Sequence, residues 1–544
     1  MIRQYALCSL LLLAFPLCMY ATETPKTEHA LTILFTNNTN GEHDTCGCIL
    51  NQRGGVGRRH TMVQYVRGLP PDDNQLLEEL TRARTFLGDR RNVLLLDSGD
   101  VYFKTLDVPT YLRDQWQFRA ELLVESYNMM AYDVVNIGAY DLALGFDFLK
   151  RLQEEANFHF ISANIIDRKT DKPMFKPYVR MRKGGITVGI FGLVSGYMSL
   201  RDLPGPGNQK AKILDPFDVA EEMVRQLRPR CDVIIALTNM GLRDEEILAE
   251  KVPGIDFVIG GHGDPRAQSA PPTYKPFKAG RTLVLQTGEG GKLIGMLTLV
   301  IRNGSLDFSD ASEEYELSRI QKLNEDLRQR IKEGGDKLQP GAEELLRTAE
   351  RRAEAYIAER ERRSKLVREG DQSFFFFQLP PVEKSIEPNQ DIEEKIISFK
   401  DRVAKLHKRI ASVIPPRDNS YRGAKFCATC HQKQYDAWVN TRHAMAYDAL
   451  VEVKQEYNPE CIECHTTGFR RKNGFVRVTD AGSLKAASVQ CEACHGRGRE
   501  EHFSADNPAP TESFDCLTCT RCHTKDQSPD FDCTKARHEV CAKN

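Results

Sequence analysis

The chain has 544 residues, enough for about three domains. At 41% hydrophobic and 28% charged residues, its composition is that of a globular protein rather than a disordered or membrane-spanning one. Acidic and basic residues balance to a formal net charge of -1, which argues against nucleic acid as a partner.

Residues 1–21 read as an export signal. Arg3 supplies a positive charge, an apolar run from Tyr5 to Leu17 is interrupted by Pro16, and Ala21 offers a small residue for cleavage before the polar Thr22–Lys26. The alternatives are an uncleaved anchor, because the run is long for a signal, and a lipoprotein site at Cys18, where Leu17 stands in place of the small residue wanted. No later segment is apolar enough to cross a bilayer. The expectation is a periplasmic or otherwise exported protein, soluble after cleavage or held by an N-terminal membrane tether.

From 28 to 310, short apolar runs rich in β-branched residues alternate with amphipathic stretches. The runs are Leu31–Thr36, Val93–Asp97, Val134–Ile137, Phe158–Ala163, Ile186–Leu193, Val233–Thr238, Phe257–Gly260, Thr282–Gln286 and Met296–Ile301. Gln115–Met130 and Pro216–Leu227 read as helices between them. This alternation predicts an α/β domain with buried sheets. Strand ends are where loops carry chemistry in such folds. There the chain reads Thr36-Asn-Asn-Thr-Asn-Gly41, Asp97-Ser-Gly-Asp-Val-Tyr102, Asn136-Ile-Gly-Ala-Tyr-Asp141, Leu237-Thr-Asn-Met-Gly241 and Ile259-Gly-Gly-His-Gly-Asp264.

In order and spacing these blocks resemble the five metal-binding blocks of the 5′-nucleotidase branch of the calcineurin-like metallophosphoesterases. The resemblance implies a metallophosphoesterase-like sandwich with a degenerate site. Asn38 and Asn40 stand where the family has Asp and His, Gly138-Ala139-Tyr140 replaces Gly-Asn-His, and Asn239 replaces a ligand His. Asp100 matches the bridging carboxylate, His262 is kept, and Asp264 stands for a second His. Two divalent ions need more anionic oxygens and imidazoles than this. Asp100, His262 and Asp264 leave room for one weakly held divalent metal ion.

Cys46-Gly-Cys48 follows the first block, with Gly54-Gly-Val-Gly-Arg58-Arg59 after it. The two thiols can form a strained, reducible disulfide, hold a soft metal, or simply staple a loop. Arg58 and Arg59 can receive an anion or form a solvated basic pair. A similar Cys-Gly-Cys occurs in exported nucleotidase-like proteins fused to cytochromes.

Residues 311–420 read as a charged helical spacer. Glu313–Glu333 and Glu343–Glu369 are dense in charge and predict long surface helices, separated by Pro340-Gly341. Ser373–Gln378 predicts a short strand and Asp391–Val413 a helix, on which His407 reads as a surface histidine. Nothing here resembles the nucleotide-binding domain that bifunctional 5′-nucleotidases carry after the metal domain.

From 421 to 544 the pattern Cys-x-x-Cys-His occurs four times: Cys427, Cys430 and His431; Cys461, Cys464 and His465; Cys491, Cys494 and His495; Cys519, Cys522 and His523. This is the attachment signature of c-type haem. Two thiols add to the porphyrin and the adjacent His is the proximal ligand of the iron. A zinc ribbon would not require a His after every pair. So short a stretch for four haems cannot build a conventional core, and the porphyrins must supply it. Outside the motifs and the signal, the oxidising compartment allows disulfides among Cys46, Cys48, Cys231, Cys516, Cys533 and Cys541, with Cys533–Cys541 expected as a local pair.

The blocks between the motifs resemble the cytochrome c-554 family (the c-552/4 type). By that resemblance His443, His502 and His538 are distal haem ligands. Three distal candidates for four proximal histidines leave one haem open to a small-molecule ligand, unless His407 closes it. The fold class expected is thus an α/β metallophosphoesterase-like sandwich, a helical spacer, and a small, mostly helical and irregular multihaem cytochrome c domain. The function expected is electron transfer with redox partner proteins through four c-type haems. The alternatives are a haem enzyme acting on a small nitrogen or oxygen species, and a metal-dependent phosphoesterase.

Overall fold

The computed structural model describes residues 28–45, 52–68, 92–196, 206–262, 276–312, 371–413, 421–469, 474–475, 484–496, 516–524, 528 and 531–540, with scattered positions between 329 and 370. The signal, Cys46, Cys48, Asp264, His502, Cys541, the side chain of His538 and most of the two charged helical stretches lie outside the described residues.

The apolar runs form two sheets. The first has seven strands in the spatial order Phe308–Asp310, Ser373–Gln378, Gly295–Arg302, Glu28–Thr36, Val93–Asp97, Val134–Asn136 and His159–Ile161. The second has six: Phe277–Ala279, Thr282–Leu285, Phe257–Ile259, Val233–Asn239, Ile186–Val194 and Tyr178–Lys183. Side chains alternate across each strand. Leu31, Ile33, Phe35, Leu94 and Leu96 therefore pack against Val188, Ile190, Ile235 and Leu237 between the sheets. Leu34, Val93 and Leu95 turn the other way, toward helices Val56–Val66 and Arg113–Met130. On the far side, Ile234, Ala236 and Val258 meet Met223, Leu227 and Leu248 of the outer helices. The result is an α/β sandwich with helices on both outer faces, in which every central strand is buried on two sides.

The stretch after 370 is built into this body. Ser373–Gln378 runs antiparallel to Gly295–Arg302 and parallel to Phe308–Asp310, putting Phe375 and Phe377 between the sheets. Helix Gln390–Val413 lays Ile392, Ile396, Phe399 and Val403 into the core shared with Arg113–Met130. His407 continues that stripe. It is buried, and its Nε2 lies 2.8 Å from Gln115 Oε1. It is thus not a surface histidine; its Nε2 is engaged by the amide oxygen of Gln115.

Beyond 421 the chain folds as short helices, including Ala424–Cys427, Gln432–Trp438, Ala446–Glu452, Pro459–His465, Cys491–His495, Cys516–Thr520 and Cys533–Val540. Among the described residues its own apolar cluster comprises Tyr447, Leu450, Ile462, Phe475 and Ala486, with Cys461, Phe469 and Ala487 packed against it, a small core for so many elements. Cys533 is disulfide-bonded to Cys516, not to Cys541. The pairing joins the helix of the fourth motif to the one after it, across a separation of 17 residues.

Candidate functional site

Two places bring chemistry-bearing residues together. The first lies at the strand ends of the sandwich. Asp100 is buried, and its Oδ2 sits 2.8 Å from His262 Nδ1, while Oδ1 accepts from the Tyr140 backbone N–H at 2.7 Å. The Tyr140 ring stands edge-on to the imidazole. Asn38 receives the His262 N–H on Oδ1 at 2.7 Å. Asn239, in a position where the resemblance expects a ligand, instead accepts the Ala139 N–H at 2.9 Å. Asn38, Asn40, Asp100 and His262 all have φ between 48° and 65°, a left-handed region costly for residues with a Cβ and concentrated at functional sites.

Asp141, to which sequence reasoning assigned no role, ties the loops together. It accepts the N–H groups of Asp100, Val101, Tyr102 and Gly138 at 2.8–3.0 Å. Glu245 does the same behind Gly260–Gly261, accepting from Thr238 Oγ1, Gly261 N and Gln286 Nε2; burial pushes its carboxyl up to about 7. No sequence pattern marks either, because their partners are backbone groups or distant in the chain. Among the described residues no group of three His, Cys, Asp or Glu side chains is arranged to hold a metal ion. The two that meet, Asp100 and His262, bond to each other, and the amides beside them are poor ligands. These residues do not fit a two-metal centre.

Arg59 is fully buried rather than solvated, with Nη1 3.3 Å from the Tyr127 hydroxyl. It belongs to the core beneath the first block, where a guanidinium cannot meet an anion from solution.

The second place is the C-terminal segment. In the first and fourth motifs the chain closes one helical turn: the N–H of His431 donates to Cys427 O, and that of His523 to Cys519 O, both at 2.9 Å. The second and third motifs lie on helices Pro459–His465 and Cys491–His495. Residues three and four apart share a helix face, so each turn presents its two thiols and its imidazole together. The first and third motifs lie against each other. Glu492 of the third motif accepts the N–H groups of Arg422 and Gly423 at 3.0 and 2.8 Å, closing the start of the first motif's helix.

His465 Nδ1 lies 2.6 Å from Ala446 O, and His523 Nδ1 lies 3.2 Å from Ser528 Oγ. A metal-bound imidazole is held in this way, with one nitrogen anchored and the other left for the metal. His443 stands edge-on to His523 with ring centres 6.1 Å apart, and burial, with His523 and His465 nearby, holds it below the usual histidine range. Paired thiols on single turns with oriented imidazoles fit covalent haem, which Cys461, Cys464 and His465, Cys519, Cys522 and His523, and the two further motifs would hold.

Residues 426–496 match the family described as cytochrome c554 and c-prime. The N-terminal part is similar to 5′-nucleotidases. The enzyme of Vibrio parahaemolyticus is 28% identical over 312 residues, covering 52% of this chain and 50% of the relative. The human enzyme is 28% identical over 287 residues, covering 48% and 43%. The match thus spans about half the length of these relatives. Among solved structures, a 5′-nucleotidase precursor from Thermus thermophilus superposes with a TM-score of 0.44 at 18% identity, over 72% of this chain and 61% of that one. A calcineurin-like phosphoesterase from Bacillus subtilis gives 0.42 at 15%, over 69% and 98%. The chain is a fusion of a 5′-nucleotidase-like part with a C-terminal segment that matches the cytochrome c554 and c-prime family.

Proposed function

We propose that the chain is an exported tetrahaem electron-transfer protein, its nucleotidase-like part serving as a docking body without hydrolytic activity. The observation that carries the reading is the set of four Cys-x-x-Cys-His turns, each presenting two thiols and an imidazole together. A bound haem supplies a one-electron Fe(III)/Fe(II) couple, suited to pure transfer when both axial positions are filled. The residues around it would do the rest: the paired thiols would hold it covalently, His431, His465, His495 and His523 would bind its iron, and Ala446 O and Ser528 Oγ orient two of those rings. His443, whose ring lies beside that of His523, would be a distal ligand in this reading. His502 and His538 are the other distal ligands. The Cys516–Cys533 bond supports an oxidising compartment, in keeping with the N-terminal apolar run.

A second reading is favoured by one observation. His407 is engaged by Gln115, so three distal candidates remain for four irons, and one iron is open to a small nitrogen or oxygen species. Electron paramagnetic resonance separates the two. A wholly low-spin ferric spectrum unmoved by cyanide supports transfer alone; a high-spin signal that shifts with cyanide supports the enzyme. Loss of the docking-body role follows if metal-loaded protein hydrolyses a generic phosphate ester and Asp100→Asn abolishes that turnover.

A further inference from the structure

The second motif is not merely adjacent to the sandwich; it is keyed into it by one carboxylate. Glu460 directly precedes Cys461. Its Oε1 accepts from Trp116 Nε1 at 3.1 Å, and its Oε2 accepts from Gln115 Nε2 at 2.7 Å and Arg119 Nη1 at 3.0 Å. Lys104 Nζ lies 3.9 Å away. The three donors lie along one face of helix Arg113–Met130, and Gln115, Trp116 and Arg119 are 0%, 1% and 6% exposed. Gln115 also donates to Asn458 Oδ1, the residue that caps the motif's helix. Among the described residues the Nε and Nη2 of Arg119 have no hydrogen-bond partner, and its Nη1 donates to Glu460. An apolar contact would dock two domains as well as a buried ion pair does. A charge pair beside a redox centre does something an apolar contact cannot.

We propose that the Glu460–Arg119 pair sets the reduction potential of the haem on Cys461 and Cys464, so that the nucleotidase-like part tunes one carrier of the chain. The proposal rests on the haem reading of that motif. Reduction adds one negative charge to the site, and in a partly buried setting neighbouring charges are felt strongly. Glu460 opposes reduction and Arg119 favours it, so the potential depends on the balance of the two. Removing either leaves the other uncompensated, and the two variants must then move the same haem in opposite directions.

The test is a spectroelectrochemical titration of the full-length holoprotein, comparing wild type with Glu460→Gln, Arg119→Gln and Glu460→Asp. The expected result is four haems in each, with one of the four waves shifted upward in E460Q and downward in R119Q, and E460D close to wild type. Waves that stay in place, or that move the same way in both variants, overturn the proposal; the latter is the mark of loosened packing. If E460Q does not accumulate, the downward shift in R119Q decides alone. Peptide mass spectrometry of the wild type separates the two readings. Absence of haem on Cys461 and Cys464 overturns the haem assignment and this proposal with it, whereas haem present with unmoved potentials overturns this proposal only.

Discussion

Asp97 ends the strand that leads to Asp100, and it is fully buried against Thr36, Tyr127 and the Gly99 N–H. Burial lifts its carboxyl to about 6, against those hydrogen bonds and the Arg59 charge. Below the ordinary aspartate range both folded and unfolded chains hold the proton. Between that range and about 6 only the unfolded chain releases it, so stability falls as pH rises through this window and levels off above it, by about 3 kcal/mol at most. Denaturant unfolding at a series of pH values should show that slope, and Asp97→Asn should flatten it whatever its cost at a single pH. At the other site, His443→Ala should leave the haem count unchanged while converting one low-spin iron to high spin, read by electron paramagnetic resonance. A spectrum identical to wild type would remove His443 from the ligand set. Asp100 and His262 are legible from the residue order alone because they sit in recognisable blocks. Asp141 is not, since its work is to accept four backbone N–H groups and no spacing announces that.

At the scale of elements, the buried strands are readable because sheets covered on both faces leave continuous β-branched runs. What the local sequence does not say is which strand pairs with which. Ser373–Gln378 is visible as a strand, but its place beside Gly295–Arg302 depends on a partner some 75 residues upstream. The burial of His407, by contrast, is written in the pattern. Ile392, Ile396, Phe399, Val403 and Leu406 are buried along one stripe of the helix, and His407 falls on it. The paired ions across this contact, Arg402–Glu121 and Lys395–Glu125, are exposed and contribute only tenths of a kcal/mol each. The stripe is the main source of binding. Phe399→Ala should therefore destabilise the protein by about 3–5 kcal/mol, measured by thermal or denaturant unfolding, while Lys395→Ala changes it by less than about 1. In the last motif, Cys533→Ser opens a loop of 17 residues and should cost about 3 kcal/mol by the loop-entropy argument, with haem content retained.

Across the whole molecule the two halves differ in what their chemistry has kept. The sandwich holds Asn38, Asn40, Asp100 and His262 together at positive φ, and two of these four are amides. The C-terminal segment has little apolar core of its own, yet each of its motifs is wound into a turn that presents two thiols and an imidazole. The contact through Gln115, Trp116, Arg119 and Glu460 joins the two. In sequence this contact is invisible, because Glu460 lies outside the Cys-x-x-Cys-His pattern and its partners are 341–345 residues upstream. The measurement that bears most directly on this account is the haem content of the purified full-length protein, by the pyridine haemochrome assay against protein concentration and by intact mass. Four covalent haems per chain is the predicted result. A count of zero or one would contradict it.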